Sequence, residues 1–435
     1  MNRTAYRIRA GELAARIEKD GRKGIPEQFI PNCHLIYSSP ATLAYNSPGA
    51  VGFGVKRAAL TIPESVMLLV SPMCCGRNST ILSQEEGYVD RMFYLLMNES
   101  DLVNGRHLNE IPEAIREILE VAEPEPKVVV ICITCADALL GTDLERVCRK
   151  AQEETGVLVV PSYMYALERE GRKPPMVAVR KSIYSLLERG KVEPDAVNLM
   201  GFFSALDPES ELFALLHQAG IRKIHQIADK KTLQEYREMG NANFSIVLHP
   251  EAVYGAEELR KRIGMPYIEL ARLYDPDRIR KQYRLFGSAI GVGIDDREPY
   301  EEAVSCRESF MEKYRGTGVA VGEMANANPF ELSASLTGMG LSVKVVFSNV
   351  TSTDFPYIRR LAQVSPETEI YTGIEPSMVD FVPPEGVELT IGKDAGIYIP
   401  DAANVPWNSE VQPFGHRGFT ALLKEMERAL SKREA

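Results

Sequence analysis

This sequence of 435 residues has no excess of basic residues and no long apolar segment. Its 50 Lys and Arg residues face 60 Asp and Glu residues, so the formal net charge is -10. That charge disfavours duplex nucleic acid and anionic membranes as partners. The longest apolar runs, such as residues 128–134, are much shorter than the roughly 20 residues of a membrane-spanning helix. We therefore expect neither nucleic acid nor a membrane as a partner.

The sequence also lacks the even number of cysteines that a disulfide framework usually has. The seven cysteines are an odd number, and six of them lie within the first 148 residues: Cys33, Cys74, Cys75, Cys132, Cys135 and Cys148, with Cys306 further on. This distribution argues against the disulfide framework of a secreted domain, and the N-terminal residues contain no apolar signal-peptide segment. We expect a cytoplasmic protein whose thiols are buried hydrophobic groups, nucleophiles or metal ligands.

Two segments resemble nucleotide-binding motifs, but their glycines do not have the required spacing. Residues 386–394 resemble a phosphate loop, but one residue too many separates the two glycines, and Asp394 stands where a Ser or Thr would bind magnesium. We interpret this segment as a turn between two strands. Residues 316–322 have the wrong third glycine spacing for a dinucleotide fingerprint. The sequence therefore predicts no NAD cofactor and no ATP bound to this chain.

Apolar runs separated by helical patterns indicate an α/β fold with parallel sheets. Strands are predicted at 66–70, 127–133, 156–160, 196–200, 224–227, 244–248, 318–321, 342–347 and 369–371. Charged and Pro-containing segments near Pro194 and Asp296 divide these elements into three units. We predict an N-terminal α/β domain at 1–194 that carries the cluster cysteines. A second Rossmann-like domain is expected at 195–296, and a third, with a C-terminal helix, at 297–435.

Two cysteines follow predicted strands directly. Cys75 comes after the strand at 66–70, and Cys135 comes after the strand at 127–133 and opens a helix. Ligands of open α/β sheets gather at the carboxyl ends of strands, and a helix N-terminus favours the thiolate that metals bind. Cys33 lies in the preceding Pro-rich loop and could fold over the same edge. The three thiols suit an iron–sulfur cluster completed by a partner chain, a water or a non-thiol ligand, whereas the alternative is that they are simply buried thiols.

At these residues the sequence resembles the nitrogenase component 1 family. The resemblance rests on short motifs across most of the chain: Pro31-Asn-Cys33, Cys75-Gly76, Thr134-Cys135, Gly141-Thr-Asp143, and segments 159–161, 197–201 and 415–426. In that family, cysteines at the first three steps carry the cluster that receives electrons. The resemblance thus implies three Rossmann-like domains and an iron–sulfur cluster, [4Fe-4S] or larger and [8Fe-7S]-like, bound by Cys33, Cys75 and Cys135.

The implied function is that of a nitrogenase-like oxidoreductase subunit. It would receive low-potential electrons from a separate ATP-dependent iron protein and reduce a substrate in an interdomain cleft. Its cluster would be completed by a homologous or identical second subunit in a dimer or tetramer. No catalytic acid or base can be named from the sequence, and neither can the substrate.

Two positions depart from the pattern of nitrogenase α subunits. The cysteine that holds the large metal cofactor there corresponds to His249, and the second ligand, a histidine two residues before a tryptophan, corresponds to Val405 ahead of Trp407. His249 could bind a metal or be an ordinary loop histidine. Cys74 is an alternate ligand at most, and we expect Cys132, Cys148 and Cys306 to be structural.

Three alternatives follow from these departures. A tetrapyrrole reductase also lacks the large metal cofactor and holds a macrocycle in its cleft. A scaffold could assemble or carry a metal cluster without turning over a substrate. Finally, the thiols could bind no metal at all, in which case the α/β domains would bind a small ligand.

Overall fold

A computed structural model describes residues 4–30, 55–73, 75–76, 80, 84, 87–164 and 175–434 of the chain, without the side chains of residues 55, 56, 175, 176 and 434. Cys33, Cys74 and the whole Pro-rich loop at 31–54 lie outside these residues. Predictions that concern them therefore stay predictions.

The strands are β1 (Ile8–Arg9), β2 (Ser65–Ser71), β3 (Met92–Leu96), β4 (Val128–Ile133), β5 (Leu158–Tyr163), β6 (Glu193–Met200), β7 (Lys223–Gln226), β8 (Ala242–Val247), β9 (Tyr267–Glu269), β10 (Gly318–Val321), β11 (Ser342–Phe347), β12 (Glu369–Tyr371), β13 (Leu389–Ile391) and β14 (Ala403–Val405). They form three sheets, in the orders β3-β2-β4-β5, β7-β6-β8-β9 and β1-β12-β11-β10-β13-β14. Among the described residues, every strand pair is parallel except β1 with β12.

The α-helices are α1 (Ala10–Asp20), α2 (Val55–Ala59), α3 (Glu99–Asn104), α4 (Arg106–Val121), α5 (Cys135–Leu140), α6 (Leu144–Thr155), α7 (Pro175–Ser182), α8 (Glu211–Gln218), α9 (Leu233–Glu238), α10 (Val253–Ile263), α11 (Pro276–Ile290), α12 (Arg297–Tyr314), α13 (Pro329–Met339), α14 (Phe355–Val364), α15 (Lys393–Tyr398) and α16 (Gly415–Glu434). Among the described residues, no helix combines the length and the apolar character needed to cross a membrane.

The chain forms two compact units. One combines Met1–Val51, Ala205–Arg222 and Leu270–Ala435, and it holds the sheet that contains β10 to β14. The other combines Gly52–Ser204 and Lys223–Glu269, and it holds both four-stranded sheets. The boundaries of the three predicted domains remain a prediction.

The β3-β2-β4-β5 sheet positions the cysteines. All residues of β2 and β4 are buried. Their side chains alternate between two apolar clusters, since Met67 and Leu69 enter one cluster whereas Val66, Leu68 and Val70 enter the other. A strand covered on both faces needs a continuous apolar run, which explains why both strands were visible in the sequence.

The predicted α/β fold with parallel sheets is confirmed, but some boundaries differ. The strand expected to end at Pro161 continues to Tyr163. Proline is tolerated there because β5 is an edge strand. On the side without a neighbouring strand, the missing N–H of proline costs no hydrogen bond between strands. The segment 386–394 is not a turn between two strands. It contains β13 and leads into α15, because Leu389–Ile391 pairs with the strands on both of its sides.

Candidate functional site

Cys75 and Cys135 lie at the same edge of one sheet. β2 and β4 are parallel neighbours, and their register pairs Val70 with Ile133, so both strands end at the same level. Cys75 follows β2 in a tight turn in which its N–H donates to the carbonyl oxygen of Pro72 at 3.1 Å. Cys135 is the first residue of α5 and follows β4 after one residue. The predicted neighbourhood of these two residues is therefore present, and both are partly exposed.

The Cys-Gly step after β2 has a steric reason. A Cβ atom at Gly76 would lie 3.3 Å from Leu96 Cδ2 and 3.5 Å from Tyr94 Cδ1, both on the neighbouring strand β3. The turn that follows β2 therefore lies against the Tyr94 and Leu96 side chains of β3. A residue larger than glycine would require the Leu96 and Tyr94 side chains to shift.

Cys33 cannot be placed, since it lies outside the described residues. Within the described part of the chain, no group of three or more His, Cys, Asp or Glu side chains is arranged to hold a metal ion. The three-thiol ligand set thus stays a prediction, of which the structure supplies two members on adjacent strands.

A row of buried hydroxyl groups crosses the sheet beside these cysteines. Ser71, Thr134 and Ser162 are 0%, 2% and 0% exposed, and their side-chain oxygens have no hydrogen-bond partner among the described residues. Ser71 ends β2, Thr134 follows β4, and Ser162 pairs in register with Cys132 of β4. Because side chains alternate along a strand, the three lie on the same face of the sheet.

Burying a hydroxyl without a partner costs about 1–3 kcal/mol. Thr134 is a notable case: it is the N-cap residue of α5, yet its hydroxyl caps no N–H of that helix. Unused donors of this kind suit a group that is rich in lone pairs. The chemistry of this edge, with two thiols and several buried O–H donors, therefore fits an iron–sulfur cluster.

The helix that carries Cys135 is anchored by a buried acid. Asp137 is fully buried, and its Oδ1 lies 3.1 Å from His107 Nε2 and accepts a hydrogen bond from Thr142 Oγ1 at 2.8 Å. Neither His107 nor Asp137 was predicted as a site residue. The available signal was an acidic residue in the first turn of a short helix, two positions after the predicted ligand Cys135.

The other described cysteines belong to the interior or to helix faces. Cys132 is fully buried within β4, and Cys148 is 3% exposed within α6, where burial raises the pKa of its thiol. Burial also raises the pKa of Cys306, which lies in α12. These environments favour the neutral thiol and agree with a structural role.

The residues at the two positions predicted to correspond to ligands of the large cofactor do not fit it. Val405 is a buried apolar residue at the end of β14 and offers no donor atom. His249 follows β8, and its Nδ1 accepts the backbone N–H of Glu251 at 3.3 Å, which caps a short 3-10 helix. With Nδ1 engaged as an acceptor, the hydrogen of the neutral ring lies on Nε2, where a metal would otherwise bind. The structure thus favours a capping role for His249.

This geometry defines an α/β protein of parallel sheets with thiols at the carboxyl edge of one sheet. A profile of the family described as nitrogenase component 1 type oxidoreductase matches residues 51–434. The chain therefore belongs to the nitrogenase component 1 type oxidoreductase family, and the predicted resemblance is confirmed.

Relatives within the family have different roles. The chain is 23% identical over 279 residues to the nitrogenase molybdenum-iron protein alpha chain of Methanosarcina barkeri, covering 58% of this chain and 52% of that protein. It is 27% identical over 227 residues to the nitrogenase iron-molybdenum cofactor biosynthesis protein NifE of Clostridium pasteurianum, covering 50% and 48%. The matched region spans about half the length of these relatives.

The fold is shared with a solved structure, nitrogenase Cp1 at pH 6.5. The TM-score is 0.70 at 17% sequence identity, and the match covers 92% of this chain and 93% of that chain. A second structure, nitrogenase Cp1 at pH 5, gives a TM-score of 0.64 at 14% identity. At such identities the likeness concerns the fold.

Proposed function

We propose that this chain is an iron–sulfur subunit that receives low-potential electrons from a separate ATP-hydrolysing iron protein and passes them to a substrate. Cys33, Cys75 and Cys135 would hold the cluster. The observation that carries the proposal is the placement of Cys75 and Cys135 at matched ends of β2 and β4, beside a row of buried hydroxyls without partners. When bound, such a cluster accepts and releases single electrons.

The chain's own residues have distinct tasks in this proposal. The thiolates of Cys75 and Cys135 would bind iron, and the hydroxyls of Ser71 and Thr134 would be available as hydrogen-bond donors to sulfur. Val70 and Ile133, near the ends of β2 and β4, are fully buried and would exclude water from the sheet at that end. Hydrogen bonds to sulfur would raise the reduction potential of the centre and exclusion of water would lower it, so both sets of residues would tune that potential.

A second subunit would supply the missing ligands. Several large apolar side chains are exposed around the two cysteines: Met73 is 70%, Leu96 is 48% and Leu140 is 61% exposed. All three lie at the carboxyl edge of the sheet, after β2, at the end of β3 and within α5. An exposed apolar surface around an incomplete set of metal ligands favours binding of another protein. We propose a second copy of this chain, or a homologous one, in that place.

The first test is metal content after anaerobic purification. We expect iron and sulfide in stoichiometric amounts, and we expect C135A and C75A to lose at least half of the iron. C306A is the matched control, since Cys306 is a partly exposed thiol on a helix of the other compact unit. If C135A retained the iron content of the unmodified protein, the ligand assignment would be wrong.

The second candidate function is that of a scaffold that assembles or carries a cluster. It is favoured by the apolar Val405 at a position expected for a ligand, and by relatives that are cofactor biosynthesis proteins. A reduced iron protein with ATP separates the two functions. An electron-transfer subunit is reduced in an ATP-dependent way and turns over, whereas a scaffold transfers its cluster to an acceptor protein without consuming electrons. A tetrapyrrole reductase would shift the absorbance of an added tetrapyrrole.

A further inference from the structure

A cavity of about 590 Å³ lies along the open edge of β5. Its described lining residues all belong to the compact unit that holds both four-stranded sheets. Helix α6 lines the cavity from one face of the sheet, and α7 and α10 line it from the other. A volume of this size suits a small organic molecule.

The edge of β5 offers acceptors to this cavity and lacks free donors. Val159 and Pro161 line the cavity, and alternate residues of a strand turn their main-chain groups to opposite sides. Met164 donates its N–H to Ile133 of β4, so the odd-numbered residues turn away from β4. The N–H of Val159 is bound by Gln152 Oε1 at 3.1 Å, and Pro161 has no N–H. The carbonyl oxygens of Val159 and Pro161 therefore face the open side as acceptors.

This arrangement determines what the edge can bind. A strand added alongside β5 would find no N–H donor at either residue, so strand addition would lose much of its hydrogen bonding. A ligand that carries N–H donors can instead bind the two carbonyl oxygens. The open edge is thus suited to an amine or ammonium group.

Two lining side chains of opposite charge are available to a ligand. Arg149 extends from α6, and Glu258 extends from α10. Neither makes an ion pair or a hydrogen bond with any residue that the structure describes. The cavity thus offers one guanidinium and one carboxylate, on helices from opposite faces of the sheet.

The other charged groups of the lining are already engaged. Lys181 pairs with Glu145 at 3.3 Å. Arg262 donates to two main-chain carbonyl oxygens, and Asp143 caps the start of α6. The remaining lining includes apolar side chains, such as those of Leu144, Ala178 and Leu259.

We propose that this cavity binds a free α-amino acid with a large apolar or aromatic side chain. Its ammonium group would bind Glu258 and the carbonyl oxygens at the edge of β5, and its carboxylate would pair with Arg149. The side chain would pack against the apolar lining. A zwitterion fits because it supplies a partner of the right sign to each unpaired charge and leaves the net charge of the site unchanged.

The first test is isothermal titration calorimetry of the full chain with leucine, methionine and phenylalanine at low ionic strength. We expect at least one of them to bind, and we expect E258Q and R149Q each to weaken that binding about fivefold. E153Q and R146Q are matched controls, since both remove exposed charges of α6 outside the lining, and they should bind as the unmodified chain does. Absence of binding by all three amino acids would overturn the proposal.

The second test removes each charge from the ligand and leaves the protein unmodified, so its outcome does not depend on how a variant folds. The N-acetyl derivative of the amino acid that binds lacks the ammonium group, and the corresponding decarboxylated amine lacks the carboxylate. Both should bind more weakly than the amino acid. E258Q should not weaken the N-acetyl derivative further, and R149Q should not weaken the amine further. An amine that binds as tightly as the amino acid would indicate a site for cations alone and would refute the proposal.

The inference is independent of the iron–sulfur cluster. Cys75 and Cys135 are not among the lining residues. Calorimetry can therefore use the chain with or without iron. A chain that bound no iron would contradict the proposed function and leave the test of this cavity intact.

Discussion

At the scale of single residues, a carboxylate occupies the place where many α/β domains bind an anion. Asp394 accepts the backbone N–H groups of Glu323 at 2.9 Å and Met324 at 3.1 Å, at the carboxyl ends of β10 and β13. A Cβ atom at Gly322 would lie 2.1 Å from Asp394 Oδ1, so only glycine leaves room. The Asp394 carboxylate thus occupies the group of backbone N–H donors between β10 and β13, where the strand order of the sheet reverses.

Glu323 is the neighbour most affected by that carboxylate. Its Oε2 accepts the side-chain N–H of Asn349 at 3.1 Å. Burial, together with the field of Asp394, raises the pKa of Glu323 to about 7 from an ordinary value of 4.5. Between these two values the unfolded chain ionises while the folded chain keeps its proton, so stability falls as the pH rises.

E323Q should remove this pH dependence. As the pH rises from about 4 to 8, ionisation of Glu323 should lower the unfolding free energy of the unmodified protein by on the order of 2–3 kcal/mol. E323Q cannot ionise at this position, so this part of the loss should be absent from the variant. Urea unfolding at both ends of this range measures the difference. E385Q, an exposed substitution in the same unit, is the control and should follow the unmodified curve. Parallel curves for E323Q and the unmodified protein would contradict the prediction.

At the scale of elements, the C-terminal helix α16 begins on a carboxylate from α8. Glu211 accepts the backbone N–H groups of His416 at 2.5 Å and Arg417 at 3.1 Å, and also the hydroxyl of Tyr283 at 2.8 Å. These N–H groups would otherwise lack partners, and the carboxylate meets the positive end of the helix dipole. Gly415 has φ of 71°, and a Cβ atom there would lie 2.0 Å from Glu211 Oε1.

E211A should therefore destabilise the protein by about 2–4 kcal/mol, because several buried donors lose their acceptor. The control is E209A, which removes a 78%-exposed carboxylate that only pairs with the Arg417 side chain, and which should cost no more than about 1 kcal/mol. Thermal unfolding monitored by circular dichroism compares them. Equal melting temperatures for the two variants would exclude the capping role of Glu211.

The elements also show what a pattern in the sequence can predict. β11 and β12 have the predicted bounds because their apolar runs stand between clear breaks, at Ser342–Phe347 and Glu369–Tyr371. β13 and β14, with three residues each, were not predicted. β3 was missed because three of its five residues are only partly buried.

At the scale of the whole molecule, the exposed apolar residues around Cys75 and Cys135 predict self-association. L140K and M73K should convert the associated form to the monomer without loss of folding, since both side chains are more than half exposed in a single chain. V121K is the control: Val121 is 66% exposed but ends α4, at the opposite end of the same sheet. Sedimentation velocity measures the result, and a dimer that persists in L140K and M73K would place the interface elsewhere.

The sequence by itself determined the α/β class and the local positions of Cys75 and Cys135, because apolar runs and strand ends depend on neighbouring residues alone. Only the tertiary structure decided that β2 and β4 are adjacent, that Ser71, Thr134 and Ser162 share one face, and that His107 meets Asp137 across 30 residues. Strand order and register depend on the packing of distant segments, which no local pattern encodes.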